Sequence, residues 1–133
     1  MIYLLDVNAL VALGLSEHEF HDRIARWIRS LNANGKLELA TCSITELGYM
    51  RVLLQAPHYA FSVAEARDLL QRIKKANGLK FTFIQDDHDL SHIPAWVKTA
   101  KQTTDGHLAQ LAKANRAILA TLDRGIPGAF QIA

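Results

Sequence analysis

Strand-like and helix-like stretches alternate along this chain, and that alternation restricts its fold more than any other feature. IYLLD is too apolar for a half-exposed strand and reads as a buried one. Ala9 to Leu15 predicts a short helix. Ser16, with Glu19 three residues on, reads as a capping box that opens a second helix. That helix carries Phe20, Ile24, Trp27, Ile28 and Leu31 on one face and ends near NANG. KLELATC is a second strand, and Ser43 is expected to cap a helix whose inner face holds Leu47, Met50 and Leu54 and which Pro57 stops. Ser62, with Glu65, opens another helix through Ala76. LKFTFI is a third strand and QDDHDLSHIP a loop. Thr104 is expected to cap a helix through Ala114, RAILATLD is a fourth strand, and AFQIA a short fifth. The pattern predicts an α/β fold: three α/β/α layers around a parallel sheet of about five strands, joined by right-handed crossovers.

A chain of 133 residues predicts one domain, residues 1–133, and its 50% hydrophobic content is enough for a sizeable core. The single cysteine, Cys42, has no internal disulfide partner, which fits a reducing compartment. MIYLL lacks the basic start of a signal peptide and meets Asp6 at once. No apolar run approaches the ~20 residues of a membrane span, so a soluble, cytoplasmic protein without membrane contact is expected.

Four acids hold telling places. Asp6 ends the first strand, Glu46 lies in the first turn of a helix, Asp105 lies at the start of another, and Asp123 ends the fourth strand. In α/β proteins the carboxyl ends of strands are where sites are built. If the first and fourth strands are neighbours where the strand order reverses, Asp6 and Asp123 enter one crevice. Acids brought together raise one another's pKa unless a cation joins them. A hard ion such as Mg²⁺ takes oxygen ligands alone. An acidic metal pocket suited to phosphodiester hydrolysis is therefore the leading reading. Each acid also has an ordinary use: Asp105 at a helix N-terminus, Asp123 in a turn, Glu46 on a helix surface. The charge pattern agrees with the metal reading. Without these four, nine acids remain against 15 Lys and Arg. Basic residues gather from Arg67 to Lys80 and at Arg23, Arg26 and Arg29, as suits a polyanionic substrate.

At these residues the chain resembles the PIN-domain family, and within it the VapC-like ribonuclease toxins of prokaryotic toxin–antitoxin pairs. The segments that carry the likeness are LLDVNALVAL with Asp6 and Asn8, SITELGYMRVL with Glu46 and Arg51, TTDGHLAQLA with Thr104 and Asp105, and LATLDRG with Thr121 and Asp123. HEFHDRIARWI is similar to the second helix of one toxin subgroup. Gly106 stands where alanine is expected and would weaken the helix start. The resemblance implies a five-stranded PIN fold, Mg²⁺ or Mn²⁺, endoribonuclease activity on RNA, a homodimer, and an antitoxin that occupies the cleft.

The expected roles follow. Asp6, Asp105 and Asp123 surround the metal, directly or through its water, and Glu46 joins them as a catalytic acid that binds metal or holds that water. Asn8 orients Asp6 or contacts phosphate, or caps the helix of ALVAL. Thr104 supports the site or contacts substrate, and Arg51 reaches phosphate or stays a surface charge. His18 and His21 have the spacing for a shared metal but lack a third such ligand. Asp86, Asp87, His88, Asp89 and His92 form a polar loop that is a turn or a second cation site. Two other classes stay open. An aspartyl-phosphate-forming phosphotransferase or phosphatase would use Asp6 as nucleophile, but the acid it needs two residues on is Asn8. A non-catalytic, receiver-like Mg²⁺-binding domain would need an acid pair and a late lysine that LLDV and LATLDRG lack.

Overall fold

The structure, a computed structural model, describes residues 1–133 except 36 and 77. Chain order runs β1 (Ile2–Leu5), α1 (Val7–Gly14), α2 (His21–Asn32), β2 (Glu38–Cys42), α3 (Ser43–Gln55), α4 (Val63–Lys74), β3 (Phe81–Ile84), α5 (Thr103–Ala114), β4 (Ala117–Thr121) and β5 (Phe130–Gln131). The strands form a five-stranded sheet in the order β3-β2-β1-β4-β5, and every pairing is parallel. β1 is central, with Leu4 opposite both Ala40 of β2 and Leu119 of β4. The strand order reverses between β1 and β4, so the expected switch point exists.

Strand side chains alternate between two cores. Leu5, Leu39 and Ala120 face one core with Leu10, Ile24, Tyr49 and Leu70 from α1 to α4. Leu4, Ala40 and Leu119 face the other with Leu108 and Leu111 of α5. The result is the three-layer arrangement expected.

Several local expectations need correction. Helix α1 is capped by Asp6 rather than Asn8: Asp6 Oδ1 accepts from the Ala9 N–H at 2.8 Å, while Asn8 is exposed in the first turn. Helix α2 starts at His21, not after Ser16. Successive turns, from His18 N–H to the Leu15 carbonyl and from His21 N–H to the His18 carbonyl, occupy the intervening backbone. His18 Nδ1 accepts from the Phe20 N–H. Cys42 rather than Ser43 is the cap residue of α3, its N–H bonded to the Thr45 hydroxyl at 3.0 Å. Gln102 rather than Thr104 precedes α5. The capping box of Ser62 and Glu65 is present as read, although α4 ends at Lys74.

The inner face of α3 is also different. Thr45, Gly48, Tyr49 and Leu53 are buried, whereas Leu47 is 61% and Leu54 39% exposed. Gly48 decides which side turns inward. A β-carbon there would lie 2.4 Å from a Val7 methyl, so glycine lets α3 approach α1 closely. Tyr49 then fits beneath, its hydroxyl donating to the Ala66 carbonyl at 3.1 Å. Gly106 has a similar use: a β-carbon there would meet a Val97 methyl at 2.2 Å. Glycine at this helix start therefore makes room for the segment before α5, which offsets its lower helix propensity.

Candidate active site

Only Asp6 separates β1 from α1, so the central strand delivers this carboxylate to the sheet edge at the start of a helix. Its backbone N–H continues the ladder to Ala120 at 3.1 Å. Its side chain is 4% exposed and both oxygens are engaged. Oδ1 takes the Ala9 N–H, and Oδ2 takes the Thr121 hydroxyl at 2.5 Å. Thr121 Oγ1 in turn accepts from the Asp123 N–H at 3.0 Å. One threonine at the end of β4 thus fixes the carboxylate of Asp6 and the backbone of Asp123. Thr121 had no assigned role in the sequence; its signal was its place two residues before Asp123 on a strand end.

Burial pushes Asp6 up to about 6 from its ordinary 3.8; the two hydrogen bonds oppose that rise, and the charges of Asp123 and Asp105 add to it. Asp105, in the first turn of α5, is raised by burial and by Asp123, against the pull of Lys101. The three aspartates therefore stand close enough for each to feel another's charge, and Asp123 opens to solvent. Such a group fits a hard divalent cation, because every donor is oxygen and the mutual repulsion is what a cation relieves. Among the described residues, no three His, Cys, Asp or Glu side chains form a ready-made metal cage.

Glu46 occupies a different environment. Its Oε2 accepts from the Thr41 hydroxyl at 2.6 Å and from the Lys74 ammonium at 2.5 Å. Lys74 also lies 5.8 Å from the centre of the Phe83 ring. Glu46 is thus neutralised from α4 and tied to β2, and it is not among the charges that act on Asp6. Lys74 and Thr41 were not foreseen, because their approach to Glu46 is made only by tertiary packing.

The other candidates are dispersed. Thr104 is exposed in the first turn of α5, beside Asp105. Arg51 is exposed on α3, roughly 140° round the helix from Glu46. His21 Nδ1 bonds the Ala12 carbonyl at 2.8 Å, so His18 and His21 both serve local backbone and not a metal. Arg23 donates twice to the Ile132 carbonyl, at 2.9 and 2.7 Å, which gives that member of the basic series a structural use. In the loop after β3, two acids have partners of their own: Asp86 bonds His107, and Asp89 bonds Ser91 and lies 3.4 Å from His92.

Comparison with known proteins finds relatives of this chain. A family model described as PIN domain matches residues 3–129. Ribonuclease VapC38 of Mycobacterium tuberculosis is 39% identical over 127 residues, covering 92% of this chain and 86% of its own. Ribonuclease VapC29 of the same species is 34% identical, covering 95% and 89%. The solved structure of M. tuberculosis VapC20, titled a sarcin-ricin loop cleaving toxin, matches with a TM-score of 0.58 at 10% identity, over 92% of this chain and 89% of that one. PAE2754 from Pyrobaculum aerophilum matches with a TM-score of 0.57 at 21% identity, over 99% and 90%. At those identities the two structures speak for the fold alone.

Proposed function

The chain belongs to the PIN-domain family, and from that premise we propose that it is a metal-dependent endoribonuclease and the toxin of a toxin–antitoxin pair. The observation that carries this reading is the trio of mutually repelling aspartates at the β1–β4 switch point, in a chain whose curated relatives are ribonucleases. The ion is Mg²⁺ or Mn²⁺, held by Asp6, Asp105 and Asp123. When bound, it supplies an activated water at neutral pH and positive charge against the phosphorane.

The chain's own residues do the rest. Thr121 and the Ala9 N–H hold the Asp6 carboxylate in one orientation before any ion arrives. Glu46 spends Oε2 on Lys74 and Thr41 and offers its other oxygen to the attacking water's proton. Asn8 and Thr104, both exposed beside acids of the site, contact phosphate or sugar, and Arg51 meets the strand farther out. An aspartyl-phosphate mechanism is disfavoured, since the position two residues after Asp6, where that chemistry needs an acid to transfer the proton, holds Asn8.

Control falls to a partner. Ser43, Glu46, Leu47, Met50, Arg67 and Phe83 line a groove of about 390 Å³, and Leu47 and Phe83 are 61% and 48% exposed. An antitoxin's amphipathic helix fits such a groove, while a basic side chain of the partner pairs with the carboxylates of the site. A homodimer in the cytoplasm completes the proposal; among the described residues, no helix is long and apolar enough to cross a membrane.

The test is cleavage of single-stranded RNA by purified protein with Mg²⁺ or Mn²⁺, with chelator, and by Asp105→Asn. Cleavage that survives chelation, or survives Asp105→Asn, would show that another site does the chemistry. Turnover of a chromogenic phosphomonoester without RNA cleavage would favour the phosphotransferase. Sedimentation reads the dimer.

A further inference from the structure

The structure assigns a second binding site to this chain: a cavity beside the acids that receives one unpaired nucleobase of the RNA, an inference that rests on the ribonuclease reading above. The cavity measures about 510 Å³, within the range of small-ligand sites, and its walls include Ile44, Asp86, His88, Leu90, Thr104 and His107. Its position follows from the topology. Asp86 lies just past the end of β3 and Ile44 just past β2, while Thr104 is the neighbour of Asp105. The cavity therefore opens on the same sheet edge as Asp6, two strands away. At about 4.8 Å per strand, that is on the order of 10 Å. Nucleotides flanking the cut phosphate fall within this reach.

The lining suits an uncharged ring with a polar edge. Among the described residues, no lysine or arginine lines the cavity, so they supply no cationic group to hold a phosphate. Its acids are also unsuited to a cation of their own. Asp86 is taken by His107 Nε2 at 2.5 Å and by the His88 N–H at 3.1 Å, and Asp89 is taken by Ser91. What faces inward is largely apolar surface, from Ile44, Leu90 and Ile93, with fixed polar groups behind it. Leu90 is 84% exposed at the rim.

His88 adds a buried imidazole to the cavity wall. Its side chain is 8% exposed, and its ring stacks on His92 with centroids 4.2 Å apart and planes 16° from parallel. Its Nδ1 is buried without any hydrogen-bond partner, a state shared among the described residues only by Trp27 Nε1. A base carries apolar faces and a polar edge, so it fits the surface of Ile44, Leu90 and Ile93 with Thr103 and Thr104 beside it. Single-stranded RNA is read in this way, by stacking and by base edges.

The test separates this site from the hydrolytic one. Adenosine, guanosine, cytidine and uridine carry no phosphate and need no metal. Each is titrated into the metal-free protein while the methyl NMR signals of Ile44, Leu90 and Ile93 are followed. At least one nucleoside should shift all three, and Leu90→Ser, at an exposed position, should weaken that binding fivefold or more. Absence of any shift with all four nucleosides, or equal binding by Leu90→Ser, overturns the proposal whether or not the protein cuts RNA. A protein that binds nucleosides in this way yet cuts no RNA would instead sink the ribonuclease reading. In a second experiment, a random single-stranded RNA pool is cut and the bases flanking the cut are counted. Wild type should favour a base at one fixed position, and Leu90→Ser should flatten the preference at least fivefold; an identical profile overturns the proposal.

Discussion

Two groups of aspartates lie on one edge of this sheet, and they behave in opposite ways. Asp6, Asp105 and Asp123 meet at the ends of β1 and β4 and the start of α5, where burial and neighbouring aspartates raise Asp6 and Asp105. Asp86 and Asp89 follow β3, and each has found a histidine or hydroxyl within its own neighbourhood. The sequence makes the second group look the richer in metal ligands, because acids and histidines are adjacent there. The structure shows why density misleads: ligands that satisfy one another leave nothing for an ion. A cation is wanted where acids face chiefly one another.

The sharpest way to break this contrast is one substitution in each group. Asp105→Asn should lower the RNA cleavage rate by on the order of a hundredfold to a thousandfold, the usual scale for a lost electrostatic contact at a reacting centre. Asp87→Asn, at an 88% exposed side chain in the loop that holds Asp86 and Asp89, should stay within about twofold. Equal losses in both would abolish the distinction.

Next in size is a pH effect. Asp6 holds its proton more tightly folded than unfolded, since about 6 lies above 3.8. Its contribution to stability is therefore complete below the lower value and is lost as pH rises through the upper one. The difference amounts to roughly 3 kcal/mol. Denaturant unfolding of the metal-free protein, compared with Asp6→Asn between about pH 3.5 and pH 7, should show wild type losing about that much relative to the variant. A flat difference would mean that Asp6 titrates normally.

Metal should reverse part of that loss. At about a hundred times its dissociation constant, Mg²⁺ or Mn²⁺ adds about 2.7 kcal/mol by mass action. Wild type should melt higher with millimolar metal at pH 7, and Asp6→Asn should respond much less. Indifference of the wild-type melting temperature to both ions would refute the metal pocket.

The smallest effect sharpens the second group. Asp86→Asn removes the charged partner of His107 and should cost about 1.5–3 kcal/mol, the scale of a charge-assisted hydrogen bond. That cost should be the same with or without Mg²⁺. A cost that shrinks when metal is added would put an ion at this loop after all.

Much of this architecture could be read in advance, for identifiable reasons. The strands are short apolar runs bounded by turn residues, and a central parallel strand has little else it can be. Asp6 and Asp123 were legible because a carboxylate directly after such a run has few structural uses. Helix faces were harder. Leu47, Met50 and Leu54 look like a core stripe, yet the true inner face is marked by Gly48, whose value is the absence of a side chain against Val7. Caps were misjudged where a residue had two duties, as when Asp6 both closes β1 and opens α1. The pairing of Lys74 with Glu46 joins residues 28 apart through the packing of α4 on α3, and no local pattern announces it.

The place of β1 in the sheet sets when the site can exist. Its neighbour β2 follows soon in the chain, but the hydroxyl that orients Asp6 belongs to Thr121, 115 residues later. During synthesis the first carboxylate must wait, without its alignment, until β4 has left the ribosome and docked beside β1. A nascent nuclease would thus be harmless to the message and ribosome that are making it. A chain stopped after Arg116 should accordingly cut no RNA and gain no stability from Mg²⁺, a comparison that pulse-chase with stalled ribosomes can make directly.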